Sequence, residues 1–259
     1  MLRRRLVSAP VVAGLLMTSC ALASAGEPRA LVELFTSQGC SSCPPADKLL
    51  GELAADPSLV ALSLPIDYWD YLGWKDTLAN PGHSSRQRAY ARMRGDRDVY
   101  TPQVVVNGAV HVLGSDKAAI EHAIAQSDRN AAVMSVPVQL SVAEGGLSVK
   151  VAAGKEHLGG EVWLCPLTKA VAVQIGRGEN HGRTITYHDV VRSWLKLGDY
   201  NGGDESFSVP LARVFSEQIF GDQVNAVAVM VQEGTKEKPG IVLGTSYASL
   251  PHRTTTENK

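Results

Sequence analysis

The pattern of apolar and polar positions along the chain changes near residue 130, and its first part is typical of an α/β unit. Apolar runs of strand length occupy residues 30–36 and 59–66. After the first run, apolar residues recur every three or four positions, which predicts a helix, and a polar helix is predicted over roughly 84–94. An Asn-Gly pair within residues 104–113 separates two short apolar runs and predicts a hairpin, and a further helix closes the unit. The predicted order β-α-β-α-β-β-α gives a mixed sheet with helices on both faces.

The second part of the chain has a hydrophobic period of two. Residues 136–142 and 147–151 alternate apolar with polar side chains around a Glu-Gly-Gly turn, which predicts a hairpin. Further strands are predicted at residues 161–167, 170–175, 206–209, 226–232 and 241–247. Short strands separated by turn residues are typical of an antiparallel β-sandwich. We therefore expect an α/β domain over 26–128, a β-sandwich domain over 129–252 and a flexible tail over 253–259.

The N-terminus has the pattern of an export signal. Arginines at positions 3–5 precede an uncharged stretch, residues 6–26, which contains a small-residue Ala-Ser-Ala. Cleavage after Ala25 would remove a signal peptide at residues 1–25 and release the protein into the periplasm or the medium. Two alternatives stay open. One is a lipid anchor on Cys20, and the other is an uncleaved helix, because the uncharged stretch is long enough to span a bilayer.

The charge balance excludes one class of partner. The 259 residues contain 25 Lys and Arg against 26 Asp and Glu, a net charge of −1. Loss of the three N-terminal arginines leaves 22 cations against the same 26 anions, a net charge of −4. Nucleic acid binding depends on a cationic surface, so we expect no nucleic acid partner. No apolar run beyond residue 26 has the length of a membrane span, so we expect no span after the signal.

Two cysteines, Cys40 and Cys43, stand at the junction of the first strand and the first helix. A bridge over so short a loop stabilises a fold by about 2 kcal/mol, less than a bridge over a long loop, which favours a pair that opens and closes. A helix that begins at Cys40 stabilises a thiolate there, because unpaired N–H groups and the helix dipole face the sulfur. We therefore expect Cys40 to attack and Cys43 to resolve, with Ser41 and Ser42 donating hydrogen bonds to the Cys40 sulfur.

Other interpretations of the Cys pair stay open. Half of a zinc site has the same spacing, but a closed site needs two more ligands, and only Cys165 and scattered histidines remain, so no metal site is expected. An inert disulfide is common in exported proteins. Two thiolates also suit Cu(I), which makes a copper metallochaperone the alternative function. A non-catalytic binding module with a permanently oxidised pair is the third possibility.

Residues 30–127 resemble the thioredoxin fold through the Cys pair and through Thr101-Pro102 ahead of the hairpin. The resemblance implies a cis bond before Pro102, opposite the Cys pair, with the backbone of Thr101 pairing with the substrate. The segment from Thr101 to the last helix is also similar to glutaredoxins. That similarity implies glutathione contacts at Gln103, Gly114, Ser115 and Asp116. The alternative for Ser115 is that it only caps the last helix.

The whole chain is similar to a family of exported thioredoxin-like proteins that is catalogued as a domain of unknown function. The segments that carry the similarity are LFTSQGCSSCPPAD (34–47), DYWDYLGWKD (67–76), RQRAYA (86–91), YTPQVVVNG (100–108) and GRGENHGRTITYHDVVR (176–192). They lie in both halves of the chain. The resemblance implies a fold and a compartment, and it leaves the reaction open.

Two further groups are candidates for the site. Thioredoxins carry a buried carboxylate that helps to move the proton of the resolving cysteine, and the resemblance places Glu33 near this position. If Glu33 faces inward it is suited to proton transfer, and if it faces outward it is only a strand residue. The aromatic segment 67–74 includes Tyr68 and Trp69. It forms either a lid or partner surface beside the Cys pair or a packed aromatic cluster.

The second half of the chain carries weaker evidence of function. Residues 176–183 lack the strand–loop–helix setting of a phosphate loop and predict a long hairpin turn. His181, His188 and Asp189 lack the spacing of metal ligands, so a shared metal is the less favoured interpretation. Cys165 lies within an apolar run, which predicts a small buried core residue.

Together these patterns predict a thiol–disulfide oxidoreductase that acts on exported protein or small-molecule thiols. The expected catalytic set is Cys40, Cys43, Thr101, Pro102 and Glu33. Substrate contacts are expected from Ser41, Ser42, Gln103, Gly114, Ser115, Asp116, Tyr68 and Trp69. No cofactor is expected, and glutathione is the candidate co-substrate. The direction of the reaction depends on a reduction potential that differs by about 150 mV among proteins with this spacing.

Overall fold

The computed structural model describes residues 27–143, 145–154, 158–215 and 223–251. The predicted signal peptide at 1–25, the lipid-anchor alternative at Cys20 and the predicted tail over 253–259 lie outside the described residues. Within these ranges, no helix combines the length and the apolar character that a membrane crossing requires.

The first half of the chain has the element order that its hydrophobic pattern predicts. Its elements are β1 (Ala30–Thr36), α1 (Pro44–Leu53), β2 (Leu59–Pro65), α2 (Pro81–Arg94), β3 (Gln103–Val106), β4 (Val110–Leu113) and α3 (Lys117–Ser127). A short 3-10 turn, Asp70–Leu72, interrupts the connection between β2 and α2. The predicted hairpin is present, and both turn residues, Asn107 and Gly108, have the positive φ that a tight hairpin turn requires.

The second half consists almost entirely of strands. Its elements are β5 (Val138–Ala143), β6 (Gly146–Val151), β7 (Gly160–Gln174), β8 (Thr184–Val191), β9 (Leu195–Tyr200), β10 (Glu205–Pro210), α4 (Leu211–Val214), β11 (Ala226–Thr235) and β12 (Lys238–Ser249). The two strands predicted at 161–167 and 170–175 are one strand, β7. The exposed Lys169 interrupts the apolar run there, but pairing with β8 carries the strand past it.

A single mixed sheet of nine strands runs through both halves of the chain. Its order is β12-β11-β7-β8-β2-β1-β3-β4, and β9 also pairs with β7. The two halves join where Ser63 of β2 lies parallel to Val190 of β8. Strands of the second half therefore extend the sheet of the first half.

A second sheet accounts for the sandwich-like part of the second half. It has three antiparallel strands in the order β10-β6-β5. Its valines, with Val149 fully buried, pack against side chains of β7 and β11 such as Leu164 and Val229. The antiparallel packing that the sequence predicts is thus present as a small sheet on one face of the extended one.

The helices of the first half cover both faces of the sheet, as predicted. Alternate residues of β1 point to opposite sides: Val32 and Leu34 pack against α1 and α3. Leu31 and Phe35 face the other side, where Tyr90 of α2 joins the core. All seven residues of β1 are buried because both faces are covered.

Candidate functional site

A disulfide links Cys40 to Cys43 in the connection between β1 and α1, with their Cα atoms 5.4 Å apart. The helix begins at Pro44, and Cys43 is its N-cap, so the expectation that a helix begins at Cys40 is wrong. Pro44 and Pro45 occupy the first helical turn, where their missing N–H groups leave no bond unmade. Cys40 precedes the helix in a turn in which the Cys43 N–H donates to its carbonyl, 3.2 Å away.

The two sulfurs differ in access to solvent. Cys40 is 5% exposed, whereas Cys43 is fully buried. Ser41 and Ser42, between them, are exposed. The Oγ atom of Ser42 lies 3.4 Å from the Cys40 sulfur, whereas no hydrogen bond joins Ser41 to that sulfur among the described residues. Cys40 is therefore the sulfur of the pair that another molecule can touch.

The Thr101–Pro102 peptide bond is cis, as the thioredoxin resemblance implies. Pro102 immediately precedes β3, and its carbonyl accepts a hydrogen bond from the N–H of Gly114 at 3.0 Å. A Cβ added to Gly114 would lie 2.7 Å from Leu34 and 3.1 Å from Pro102. The absence of a side chain at Gly114 therefore lets the β4–α3 connection lie against the proline.

The aromatic segment 67–74 lies beside the Cys loop. Trp69 donates from Nε1 to Oγ1 of Thr101 at 2.7 Å. A Cβ added to Gly39 would lie 3.2 Å from the Trp69 Cβ, so this tryptophan lies next to both the Cys loop and Thr101. Tyr68 donates its hydroxyl proton to Gln87, whereas Tyr71 is 76% exposed and stacks on Trp69. Tyr68 and Trp69 are thus bonded to the rest of the protein, whereas the ring of Tyr71 faces solvent.

Two of the residues expected to contact glutathione have other neighbours. Gln103 is buried, where its amide accepts a hydrogen bond from Gln87 and lies 3.2 Å from a ring nitrogen of His111. Asp116, and not Ser115, caps α3, because its carboxylate accepts the N–H of Ala119 at 2.9 Å. Ser115 is exposed.

Glu33 is buried on the face of β1 that is turned away from α1. Its carboxylate forms an ion pair with Arg86 of α2, with 2.6 Å between Oε1 and Nε. Tyr90 donates its hydroxyl proton to the other oxygen at 2.7 Å. Glu33 faces inward as the first alternative requires, but among the described residues it has no hydrogen bond to either sulfur. These bonds tie Glu33 to α2 and not to the Cys pair.

Asp47 is a buried carboxyl next to the pair that sequence reasoning missed. It lies one helical turn beyond Cys43, whose carbonyl accepts its N–H at 3.1 Å. Thr36 donates to Oδ1 at 2.7 Å, and Oδ2 has no partner among the described residues. Burial raises the pKa of Asp47 to about 8, and the charge of Asp76 adds to this, while the Thr36 bond opposes it. The sequence contained one indication of this group, because Asp47 lies on the apolar face of the predicted helix.

The residues before Cys40 are held by the connection that leads into α2. Asp76 accepts the N–H of Gln38 at 2.8 Å, and Trp74 donates from Nε1 to the Gln38 side chain at 2.7 Å. Burial raises the pKa of Asp76 to about 6, although its backbone hydrogen bonds oppose the shift. A second carboxyl that is easily protonated therefore lies under the Cys loop.

The turn between β7 and β8 reaches the Cys loop from the second half of the chain. Asn180 is fully buried, and its amide donates to the carbonyls of Gln38 and Cys40 at 3.0 and 2.8 Å. Glu179 accepts the N–H of Ser41 at 3.2 Å. The prediction of a hairpin turn at 176–183 is confirmed, but nothing in its local pattern indicated these contacts.

Comparison with known proteins places the chain in a family. The family described as "Protein of unknown function (DUF1223)" matches residues 31–232. This chain belongs to that family. The prediction of membership in a family catalogued as a domain of unknown function is therefore confirmed.

A protein of Agrobacterium tumefaciens, known from an X-ray crystal structure, is similar in sequence and in fold. The two chains are 30% identical with a TM-score of 0.75, and the match covers 90% of this chain and 99% of the other. No curated protein matches this DUF1223 chain.

Few groups outside the Cys loop are placed to react among the residues that the structure describes. Across the described ranges, no group of three or more His, Cys, Asp or Glu side chains is placed to hold a metal ion. Asp189 accepts a hydrogen bond from Tyr247. Cys165 is fully buried in β7, and burial raises the pKa of its thiol, so the prediction of a core residue is confirmed. The bond between Cys40 and Cys43 is therefore the group best placed to react.

Proposed function

We propose that this DUF1223 protein is a thiol–disulfide oxidoreductase that acts on exported protein or small-molecule thiols. The observation that carries the proposal is the disulfide at the start of α1, in which Cys40 has exposed surface and Cys43 has none. A disulfide exchanges through attack of a thiolate along the S–S axis on the sulfur it can reach. The burial of Cys43 makes Cys40 that sulfur in both directions of the reaction.

The proposal includes a thioredoxin-like arrangement of residues 30–127. The support is the order of β1, α1, β2, α2 and the β3–β4 hairpin, together with the cis bond before Pro102. Trp69 holds the Thr101 side chain in place beside the Cys loop. The backbone of Thr101 is then available to pair with an extended substrate.

The reaction balances without a cofactor. A substrate thiolate attacks the Cys40 sulfur, the Cys40–Cys43 bond breaks, and Cys43 leaves as a thiolate. A second substrate thiolate then attacks the substrate sulfur of the mixed disulfide and releases Cys40. The substrate loses two electrons and two protons, and the Cys pair gains them. Reduction of a substrate disulfide is the same sequence reversed, with the reduced pair supplied by an external thiol such as glutathione.

Asp47 is the group we propose for the proton of Cys43. A thiolate buried as deeply as Cys43 is unfavourable, since burial disfavours the charged form. With a pKa raised to about 8, Asp47 carries a proton at neutral pH. It lies one turn from Cys43 on the same helix and has an unpartnered oxygen. Asp47 therefore takes the part that the sequence had assigned to Glu33.

The redox proposal is preferred to a copper carrier. A carrier that passes Cu(I) from one protein to another must present both thiolates to the receiving ligands. Cys43 is fully buried, and its neighbours hold it under the first turn of α1. That geometry suits a resolving cysteine.

The test is trapping of the mixed disulfide. A Cys43→Ser protein, in which Cys40 has lost its resolving partner, should form a stable mixed disulfide with an oxidised model peptide. Cys40→Ser should form none, and Cys165→Ala should exchange at the wild-type rate because that thiol is buried in the core. Equal turnover of an insulin disulfide by wild type and by Cys40→Ser would reject catalysis. A pair that stays oxidised throughout glutathione buffers would reject it as well.

A further inference from the structure

Tyr187 of β8 carries a buried hydroxyl group that the proposed function does not use. Its side chain is 1% exposed, and its oxygen has no hydrogen-bond partner among the described residues. Two other buried tyrosines are bonded, since Tyr90 donates to Glu33 and Tyr200 donates to the carbonyl of Ala152. A buried hydroxyl without a partner destabilises a fold, so we expect that of Tyr187 to have one in solution.

Two more buried polar atoms without partners in the described ranges lie on the same face of the sheet. One is Oδ2 of Asp47, and the other is Oγ of Ser63. Ala61 of β2 packs in the cluster that joins the sheet to α1, so the alternation along a strand places Ser63 on that face as well. The register partner of Ser63 is Val190, which packs in one cluster with Tyr187. The three atoms thus lie between α1, β2 and β8.

The ring of Tyr187 reaches the region in which Asp47 and Asp76 are held. It packs in one cluster with Leu78, and Trp74 lies against that cluster. Asp76 lies between these two residues in the chain, and its carboxylate accepts the N–H of Leu78 at 2.8 Å. Burial raises the pKa of the Tyr187 hydroxyl, and the charges of Asp47 and Asp76 raise it further. Because such interactions weaken with distance, both carboxyl groups lie near the phenol.

The carboxyl group of Asp47 has no ion-pair partner in the part of the chain that the structure describes. The charge that acts on it is that of another acid, Asp76, which adds to the effect of burial on its pKa. On β8, His188 contacts α1 one turn further along the helix. The groups left to bind Oδ2 are therefore the neutral hydroxyls of Tyr187 and Ser63.

We infer that Tyr187 is a positioning residue for the proton of Asp47, because one internal water molecule links its hydroxyl to Oδ2 of Asp47 and to Oγ of Ser63. Internal waters in globular proteins commonly form about three such bonds to buried polar groups. The part that this link plays in exchange rests on the proposed function, but the link itself requires no reaction.

The link acts when Asp47 loses its proton. As the disulfide opens, Cys43 leaves as a thiolate, the carboxyl proton of Asp47 moves to that sulfur, and the negative charge passes to Oδ2. Tyr187 then donates to the water and the water donates to Oδ2, which stabilises the new carboxylate. Tyr187 keeps its own proton throughout, and the reverse reaction returns the proton from Cys43 to Asp47.

The link is tested by titration of the Asp47 carboxyl group, followed by carbon-13 NMR of the oxidised full-length protein. Tyr187→Phe keeps the ring but removes the donor, so it should bind the Asp47 proton about tenfold more tightly than wild type does. Ser63→Ala should bind it about threefold more tightly, since the water loses one partner. The control, Tyr200→Phe, removes a buried hydroxyl of the second half and should leave the titration unchanged. The wild-type titration in either of the first two variants would overturn the inference.

The effect on proton transfer is tested by the rate at which dithiothreitol opens the disulfide, divided by the concentration of its thiolate at each pH. In wild type this rate should fall as Asp47 loses its proton. In Tyr187→Phe the fall should occur at a higher pH, displaced by the same factor as the titration. A rate that is lower at every pH, with no displacement of the profile, would show a merely structural role and would overturn the inference.

The failure of the link and the failure of the proposed function are distinguishable. The double variant Cys40→Ser/Cys43→Ser performs no exchange, but Tyr187→Phe in that background should still tighten the binding of the Asp47 proton. That tightening in a protein whose Cys pair proves inert would reject only the redox proposal. Active exchange with an Asp47 titration that is independent of Tyr187 would reject only the inference.

Discussion

Two buried carboxyl groups lie on opposite faces of the sheet around β1, and they are treated in opposite ways. On the α2 face, both oxygens of Glu33 have partners, Arg86 and Tyr90, and Gln232 accepts a further bond from Arg86. On the α1 face, Asp47 has one partner, Thr36, and its second oxygen has none among the described residues.

The difference in partners distinguishes a carboxylate that stabilises the fold from a carboxyl group that can gain and lose a proton. A buried carboxylate that is paired and hydrogen-bonded keeps its charge, whereas one without a cation is neutralised by a proton. The pair of Glu33 and Arg86 connects β1 to α2. Asp47, with its pKa raised to about 8, can exchange a proton near neutral pH beside Cys43. The carboxyl group with an unpartnered oxygen thus lies on the face on which we propose that exchange takes place.

Removing the cation that pairs with Glu33 should have the largest effect on stability. Arg86→Met leaves Glu33 buried without its cation, and we expect the free energy of unfolding to fall by about 3–5 kcal/mol. Urea denaturation followed by tryptophan fluorescence measures it. Arg92→Ala, an exposed position on the same helix, should change stability by less than about 0.5 kcal/mol. A loss as small as that of the Arg92 control would show that the ion pair is not structural.

Removing the hydrogen bonds that Asn180 donates to the Cys loop should have the next largest effect on stability. Asn180→Ala leaves two buried carbonyls, those of Gln38 and Cys40, without donors, and should cost about 2 kcal/mol of stability. These bonds hold the Cys40 carbonyl in the conformation of the disulfide form. Their loss should therefore also shift the equilibrium with glutathione towards the dithiol by about threefold, a change of somewhat more than half a kcal/mol.

The fraction of thiols that can be alkylated in glutathione buffers measures the equilibrium between dithiol and disulfide. The control is Asn201→Ala, an exposed asparagine far along the chain, which should change neither quantity. Lost stability with an unchanged equilibrium would mean that Asn180 supports the loop without positioning Cys40.

Asp47→Asn should change the pH dependence of stability. The folded protein keeps the Asp47 proton up to about pH 8, whereas the unfolded chain loses it near the ordinary value of 3.8. The contribution of this group is therefore fully present below the lower pKa and is lost as pH rises through the higher one. The asparagine has no such proton, so the variant should be more stable than wild type at about pH 8 by at least about 1 kcal/mol.

Urea titrations at about pH 5 and about pH 8 measure how the free energy of unfolding of each protein changes with pH. Asp98→Asn, at an exposed carboxylate, should follow the wild-type slope. If the free energy of unfolding changes with pH in the same way for wild type and for Asp47→Asn, the pH dependence does not come from the proton of Asp47. In the same variant, release of Cys43 from the disulfide should be slower, which stopped-flow reduction by dithiothreitol would record.

The smallest effect should come from Ser42. Its hydroxyl lies 3.4 Å from the Cys40 sulfur, and we expect it to donate to the thiolate of the reduced form. Ser42→Ala should slow alkylation of Cys40 by iodoacetamide by about threefold, the worth of one weak hydrogen bond. Ser41→Ala is the matched control and should react at the wild-type rate. Equal rates for both variants would remove Ser42 from the site.

Local patterns in the sequence determined the elements of the first half and the place of the Cys pair. Strand, helix and hairpin periods depend on neighbouring residues, so β1, α1 and the turn at Asn107-Gly108 were all predictable. The position of the pair between a strand and a helix followed from the same patterns. The strands β8 and β9 were missed, although β8 alternates polar with apolar residues from Thr184 to His188; in β9 the alternation stops at Gly198.

Only the tertiary structure decided which groups meet at the site. Glu33 and Asp47 both lie near the Cys pair in sequence, but the packing of α1 on one face and α2 on the other separates them. Asn180 meets the Cys40 carbonyl across 140 positions, and β8 joins β2 through one register pair. Contacts between distant segments depend on how complete layers pack, and no local period records them.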